Sequence, residues 1–318
     1  MRVTENSNYE AIRNGIQRSK ERMESLQHQS STLKKLNQPS DDPVGTSKVL
    51  ELRTDKVNND QFQMNARTAE NFLNNTDTVL SELSEIVSRA KELAINQSSA
   101  ASSNDDTRLG VVEEVSQLFR QAVAAGNRRV GERYLLGGYK TQTPPVDPEG
   151  RYQGDDGQMM VEIAEGVFLT MNIPGSEAFN THPRSTHFGN YGIPNASGSG
   201  DFDETAENVN VFDELQNFRI SLITGDLEGI RATLDRFDEI HNKLVTTRAK
   251  LGSRMQGLQS THQAIERHNI TNASLSSALE DADVAQVVTD LGKEETVFRS
   301  SLAVAKKLIQ PTLLDFLK

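Results

Sequence analysis

The stretch that decides the fold is LEDADVAQVVTDLGKEETVFRSSLAVAKKLIQPTLLDFLK, residues 279–318 of a 318-residue chain. Its apolar residues recur in alternating steps of four and three, with one interruption at Glu295, and this is the spacing of a coiled-coil seam. The predicted seam positions are Val284, Val288, Leu291, Phe298, Leu302, Ala305 and Ile309. A helix with such a seam needs a partner helix to cover it.

A partner with the same rhythm lies at the amino end of the chain. The predicted seam positions there are Tyr9, Ile12, Ile16, Ser19, Met23, Leu26, Ser30 and Leu33. Two such stripes favour an antiparallel pair that brings both ends together, or two faces that await neighbouring molecules. The alternative is that each stripe belongs to an ordinary amphipathic helix facing a core.

Each seam is bounded by an interruption. The first helix is expected to stop near Asn37, because two prolines disfavour helix in the residues before them. The predicted hinge residues are Pro39, Ser40, Asp41, Asp42 and Pro43. Ser40, Asp41 or Asp42 can cap the next helix, with Pro43 in its first turn. Near the carboxyl end the register changes, which predicts a break between about residues 274 and 283.

Between these interruptions, long helices are predicted on both sides of a short β-containing segment. The clearest heptad series is Ala69, Phe72, Thr76, Val79, Leu83, Ile86, Ala90 and Leu93. Its apolar side chains are expected to form the core of a helical bundle. A third helix should begin near Asn104, and helix should resume at Val211, pause at Gly225 and restart with Asp226 as its cap.

The β-containing segment is predicted from a change of period. Apolar residues alternate with a period of two on both sides of a Glu165-Gly166 turn, which is typical of a β-hairpin. The alternating residues are Met159, Val161, Ile163, Val167, Leu169, Met171 and Ile173. Residues 176–201, rich in Gly, Ser, Asn and Pro, are predicted to be loop.

The predicted fold class is therefore mainly α, an elongated helical bundle or coiled coil built from both chain ends with a small central β-containing insertion. We expect residues 1–42 and 276–318 to form terminal coiled-coil helices. Residues 43–140 and 208–275 should form the helical bundle core, and residues 141–207 a β-rich outer insertion.

Composition narrows the classes of function. The formal net charge of −11 argues against nucleic acid as a partner, and the absence of Cys excludes disulfides and thiolate chemistry. A low aromatic content of 5% suits elongated helices with shallow cores. The amino end lacks a basic start followed by an apolar run, so a cleaved secretory signal is not expected. No segment has the apolar length of a membrane span.

A search for catalytic and metal-binding patterns predicts no enzyme. His182 and His187 lie in a loop, while His262 and His268 are too far apart to share a helix face, so neither pair has a metal-site spacing. The sequence contains no HExxH and no phosphate-binding GxxxxGK motif. Acidic clusters such as Asp155-Asp156 are interpreted as solvated surface. We therefore expect no catalytic residue, cofactor or metal.

Several short segments, taken in order, resemble the flagellin superfamily. The segments are QPSDDPVG (38–45), GERYLLGGYKTQTPP (131–145), YQGDDG (152–157), NIPGSEAF (172–179), SSALEDADVAQVVTDLGKEE (276–295) and LIQPTLLDFLK (308–318). The first two are more similar to superfamily members at the junction of hook and filament than to filament flagellins. The second departs from the family pattern at Leu136, where Phe is usual, and at Val146 after the prolines. The resemblance covers nearly the whole chain.

The resemblance implies a structural subunit of the extracellular flagellum, secreted without a cleaved signal peptide. Such a subunit is exported unfolded by the flagellar type III apparatus and assembles through its terminal helices, so that the two seams become an assembly seam lining the inner tube. Implied partners are hook-associated protein 1, flagellin, further copies of the chain in a ring, and a flagellar export chaperone. Alternatives are a filament flagellin and, from another class, a soluble coiled-coil binding module.

The apolar tail of the chain has two interpretations. Its apolar residues are Leu313, Leu314, Phe316 and Leu317. They are expected either to pack in the inner tube after assembly or to dock on the export chaperone before it. The two roles are compatible, because they belong to different times.

Overall fold

The structure is a computed structural model that describes residues 2–98, 105–180 and 209–309. The helices are α1 (Arg2–Thr32), α2 (Pro43–Gln97), α3 (Asp105–Gly126), α4 (Gly175–Phe179), α5 (Val211–Thr224), α6 (Leu227–Glu280) and α7 (Val284–Ile309). The strands are β1 (Arg129–Val130), β2 (Arg133–Tyr134), β3 (Met160–Ala164) and β4 (Val167–Thr170). The predicted fold class, mainly α with a small β-containing insertion, is confirmed. Within the described ranges, no helix is long and apolar enough to span a membrane.

The chain forms two compact units. The terminal unit comprises Met1–Asn59 and Glu266–Lys318, and the central unit comprises Asp60–Ile265. Helices α2 and α6 contribute residues to both. The division into three parts at residues 42, 140, 207 and 275 stays a prediction.

The core of the central unit is formed by α2, α3, α5 and α6. The heptad series from Ala69 to Leu93 is buried at every predicted position, which confirms the core-facing stripe of α2. Aromatic rings join α3, α4 and α5 to one another. Phe212 of α5 lies with its ring centroid 4.9 Å from that of Phe179 and 6.3 Å from that of Phe119, both edge to face. Such pairs add to the apolar area that the core removes from water.

Local signals set the ends of α5 and α6 as the sequence predicts. The side chain of Asn210 accepts a hydrogen bond from the Phe212 N–H at the start of α5. Gly225, with a φ of 70°, ends α5 in the left-handed conformation that glycine adopts without steric cost. Asp226 then accepts a hydrogen bond from the Glu228 N–H at 3.1 Å and caps α6.

The insertion contains the predicted hairpin. Strands β3 and β4 pair antiparallel, Val161 opposite Leu169, and Gly166 has a φ of 70° in the turn. A second hairpin, β1 with β2, escaped the sequence analysis because strands of two residues show no periodicity. The predicted loop from residue 176 is wrong at its start, where α4 forms and buries Phe179 against the core. The rest of that loop, residues 181–201, lies outside the described residues.

Tyr152 holds three segments of the insertion together. Its hydroxyl lies 2.8 Å from the Leu136 carbonyl oxygen and 3.0 Å from that of Asp155, and it accepts a hydrogen bond from the Gly175 N–H at 3.1 Å. Burial, with a smaller contribution from neighbouring carboxylates, raises the pKa of Tyr152 to about 12. The folded state therefore keeps the phenol protonated at pH values where the unfolded chain loses the proton.

We predict that Tyr152→Phe lowers the free energy of unfolding at pH 7 by about 1–3 kcal/mol, because buried backbone groups lose their partner. The sign of the pH effect follows from the raised pKa. Between pH 10 and 12 the folded state binds more protons than the unfolded state, so this phenol should make wild-type stability fall by about 1–2 kcal/mol, since partial exposure to solvent weakens the effect.

Urea unfolding of both proteins from pH 7 to pH 11.5 measures this difference. Tyr139→Phe is the matched control, because Tyr139 is 66% exposed, and its stability should stay within about 0.5 kcal/mol of wild type. An equal loss of stability at alkaline pH in the wild-type protein and in Tyr152→Phe would contradict the assignment of this pH dependence to Tyr152.

Candidate assembly surface in the terminal unit

Helices α1 and α7 pack side by side and antiparallel. At one end, Lys34 forms an antiparallel bridge with Asp281 just outside the two helices. In the middle, the hydroxyl of Ser19, a residue only 5% exposed, donates a hydrogen bond to Glu294 at 2.8 Å. The antiparallel pairing of the two chain ends, predicted from their seams, is confirmed within one chain.

The predicted seam of α1 faces its partner for most of its length. Ile12, Ile16, Met23 and Leu26 are all partly buried. The prediction for Leu33 is wrong, because this residue is 54% exposed and has a φ of 57°. Helix α1 therefore ends at Thr32 rather than near Asn37. The left-handed backbone at Leu33 stops the helix before the prolines do. The side chains of Tyr9 and Ile309, at the outer ends of the two seams, lie outside the described residues.

The seam of α7 differs in register from its prediction. Leu291, Phe298 and Ala305 are partly buried as expected, but Val284, Val288 and Leu302 are 49%, 55% and 46% exposed. The intervening seam positions are instead the buried or partly buried residues Val287, Glu294 and Ser301. A prediction from apolar residues alone assigns the wrong seam positions here, because the hydrogen bond from Ser19 brings the polar residue Glu294 into the seam. The interruption at Glu295 was the sequence signal of this shift.

The two predicted interruptions meet in space. The backbone N–H of Lys35 donates to the carbonyl oxygen of Glu280 at 2.7 Å, and the Ala282 N–H donates to that of Leu33 at 3.0 Å. The predicted break before α7 is confirmed, since α6 ends at Glu280 and α7 begins at Val284. The segment that follows α1 and the segment that precedes α7 therefore hydrogen-bond to each other.

The side chain of Glu280 fastens this junction. Its carboxylate is 10% exposed and accepts hydrogen bonds from Lys34 Nζ and Arg53 Nη2, each at 2.5 Å. Lys34 belongs to the segment after α1, and Arg53 lies on α2. One nearly buried acid thus joins three parts of the terminal unit, and two cations compensate its charge.

The predicted hinge is a turn held by its two aspartates. Asp41 Oδ2 accepts the N–H groups of Asn37 and Gln38 at 3.0 and 2.9 Å. Asp42 Oδ1 accepts those of Val44 and Gly45 at 3.1 and 3.0 Å, which caps α2 with Pro43 as its first residue. The capping role is confirmed. Pro39 and Ser40 are exposed, and bending of this segment as a hinge stays a prediction.

Apolar burial in the terminal unit is small. Among its described side chains the buried hydrophobic residues are Val49, Leu52 and Val287. Many more large apolar residues there are about half exposed or more: Leu50, Val57, Ile270, Leu275, Val284, Val288, Val297, Leu302 and Val304. The terminal unit thus exposes many more large apolar side chains than it buries, which is typical of a surface that binds a partner. This surface is the candidate assembly surface.

The histidines and acidic residues considered in the sequence do not converge on a metal site within the described ranges. No group of three or more His, Asp or Glu side chains in these ranges could hold a metal ion. His268 instead contacts Asn59 at 3.0 Å, and His262 is partly buried on α6. Glu214 belongs to the central unit, where it is 2% exposed. Burial raises its pKa despite an opposing ion pair with Arg236 at 3.4 Å. His182, His187 and the apolar tail residues Leu313, Leu314, Phe316 and Leu317 lie outside the described ranges.

Comparison with known proteins shows which proteins this chain resembles. Residues 3–141 match the family described as the bacterial flagellin N-terminal helical region. The flagellin of Listeria monocytogenes is 21% identical over 93% of this chain and 91% of its own. The chain is thus similar to bacterial flagellar proteins of the flagellin class over nearly its whole length.

Within that class, the resemblance to flagellar hook-associated protein 3 is confirmed. That protein of Escherichia coli K12 is 24% identical over 95% of both chains, and that of Salmonella typhimurium LT2 is 23% identical over 95% of both. A flagellar hook-associated protein of Vibrio parahaemolyticus shares the fold with a TM-score of 0.63, at 18% identity, over 76% of this chain and 100% of its own. Hook-associated protein 3 of Legionella pneumophila shares it with a TM-score of 0.60, at 16% identity, over 73% and 98%.

We predict that Glu280→Ala destabilises the terminal unit by about 1–3 kcal/mol, because Lys34 and Arg53 lose their shared acceptor. Hydrogen exchange at the amides of Lys35 and Ala282 should accelerate. The control is Glu24→Ala, which removes an exposed partner of Lys20 at 3.6 Å and should cost less than about 0.5 kcal/mol. Equal exchange rates in the two variants would show that the Glu280 side chain does not hold the junction.

Proposed function

We propose that the protein is a structural, non-enzymatic subunit of the bacterial flagellum that joins hook to filament. The observation that carries the proposal is its similarity to flagellar hook-associated protein 3 over 95% of both chains. The hook-associated proteins of Vibrio parahaemolyticus and Legionella pneumophila support it at the level of the fold. On this proposal hook-associated protein 1 and flagellin are its two neighbours along the axis.

The terminal unit is the part proposed to assemble, through the two seams and the exposed apolar residues beside them. Burying Val49, Leu52 and Val287 contributes roughly 1.5–3 kcal/mol per side chain, whereas ordering each residue costs about 1–2 kcal/mol of backbone entropy. A unit with this balance gains stability when neighbouring subunits cover its exposed valines and leucines. Further copies of the chain, arranged in a ring, supply such neighbours.

Export as an unfolded chain through the flagellar type III apparatus completes the proposal and places the protein outside the cell. The chain has no Cys, so no disulfide has to be reduced before the chain can be threaded. Long helices form from local hydrogen bonds, which suits refolding at the growing tip. An export chaperone would hold the chain before this step.

The first test concerns the assembly surface. Val288 is 55% exposed, so Val288→Glu should leave the helix content and melting temperature of the free protein unchanged while abolishing its incorporation into flagella. Thr289→Glu is the matched control, since Thr289 is an exposed neighbour on the same helix. Sedimentation of sheared flagella, followed by immunoblotting, measures incorporation. Normal incorporation of Val288→Glu would show that Val288 is not part of the assembly surface.

The second test separates a junction protein from a filament flagellin, the alternative supported by the Listeria monocytogenes relative. Immunogold labelling of intact flagella with antibody against residues 141–180 should give one narrow band where hook meets filament. Label along the entire filament would identify a flagellin. Absence of label would favour the soluble coiled-coil module.

The third test concerns the export chaperone. We propose that Leu313, Leu314, Phe316 and Leu317 dock on it before assembly. The chaperone should therefore fail to co-purify with a chain truncated after Gln310, whereas it should co-purify with the Val288→Glu variant of full length. Retention of the chaperone by the truncated chain would place its binding site elsewhere.

A further inference from the structure

An apolar groove runs along one flank of the α1–α7 pair. It has a volume of about 360 Å³, and Ile12, Gly15, Ile16, Val297, Ser300 and Val304 line it. Val297 and Val304 are 50% and 52% exposed. These two valines are not on the α7 row of Val284, Val288 and Leu302. The groove is therefore a second apolar surface of the pair, distinct from that row.

The floor of this groove has room for large side chains. Gly15 lies inside α1, where glycine is less favourable than alanine. A Cβ atom at Gly15 would have no other heavy atom within 4 Å, so no packing within the described chain requires a glycine there. The open space, next to exposed Val297 and Val304, is free for an apolar segment to approach the backbone of α1.

A segment of suitable chemistry begins where α7 ends. Residues 310–318, QPTLLDFLK, follow directly after Ile309 and contain the apolar residues Leu313, Leu314, Phe316 and Leu317. Pro311 lacks an N–H donor and clashes with the carbonyl oxygen four residues earlier in a helix. Proline at this position is therefore unfavourable for continuing a helix.

The lengths of groove and segment agree. From Thr296 to Val304, α7 rises about 12 Å, and residues 313–317 span about 16 Å when extended. Val304 lies about 7.5 Å along the helix from Ile309. Residues 310–312 span up to about 10 Å, which is enough to bring Leu313 back to the near end of the groove.

We infer that residues 313–317 dock in this groove of their own chain when the protein is free. The docking covers Val297 and Val304 in the unit that has the fewest buried apolar residues. The groove and the tail would then be exposed together only when a partner displaces the tail. This inference does not depend on what the protein joins.

The test uses the absence of Cys from the chain, which lets single thiols be introduced. One variant carries Gly15→Cys with Asp315→Cys, which retains the four apolar tail residues. The control carries Gly292→Cys with Asp315→Cys, because Gly292 is also inside a helix with nothing within 4 Å of a Cβ but does not line the groove. Dilute protein is treated with a short bismaleimide cross-linker and analysed by denaturing gel and mass spectrometry.

An intramolecular cross-link formed several-fold faster in the Gly15→Cys variant than in the control supports docking within one chain. A cross-linked dimer from Gly15→Cys would overturn the inference and assign the groove to the tail of a second copy. Equal cross-linking of both variants, or none in either, would also overturn it. Circular dichroism confirms that both variants keep the helix content of the wild-type protein.

A second measurement does not alter the groove glycine. The thiol of Ser300→Cys should react with a soluble maleimide several-fold faster after truncation of the chain at Ile309, because the tail no longer covers it. Thr289→Cys, away from the groove, should react at the same rate with and without the tail. An unchanged rate at Ser300→Cys would overturn the inference.

Discussion

The terminal unit depends on one carboxylate. Glu280 is the last residue of α6, and its side chain accepts hydrogen bonds from Lys34 and Arg53 while its backbone carbonyl accepts the Lys35 N–H. Little water reaches this carboxylate, so an unpaired negative charge there would be strongly destabilising. The cations Lys34 and Arg53 compensate the charge. This ion pairing brings the segment after α1 against the end of α6. The antiparallel pairing of α1 with α7 then follows, because α1 ends and α7 begins at this junction.

The two units differ in how many apolar side chains they bury. The central unit buries aromatic and branched side chains on four helices, with Phe212 among them, and this burial is the main favourable contribution to its folding. The terminal unit buries few apolar residues and keeps Val284, Val288 and Leu302 about half exposed. This division fits the proposed function: the central unit folds around its own core, while the terminal unit would gain packing from neighbouring subunits. A strongly self-sufficient terminal unit would have little to gain from assembly.

Most of the architecture could be predicted because its signals are local. The heptad stripe of α2, the cap at Asp226 and the turn at Gly166 each require only residues adjacent in sequence. The seam of α7 could be predicted only in part. Its apolar rhythm fits two registers, and the choice between them depends on a hydrogen bond from Ser19, which lies far away in sequence. The groove beside Gly15 left no sequence signal, since it is formed by two helices together.

The sequence by itself determined the mainly α class, the two interruptions, the hairpin and the likeness to flagellar proteins, because periodicity, prolines, glycines and caps act over a few residues. Only the tertiary structure decided that the interruptions meet at Glu280, that Val287 rather than Val288 is buried, and that a helix forms from Gly175. These features arise from contacts between residues distant in the chain. Their energies depend on burial and on partner geometry, which a linear pattern does not contain.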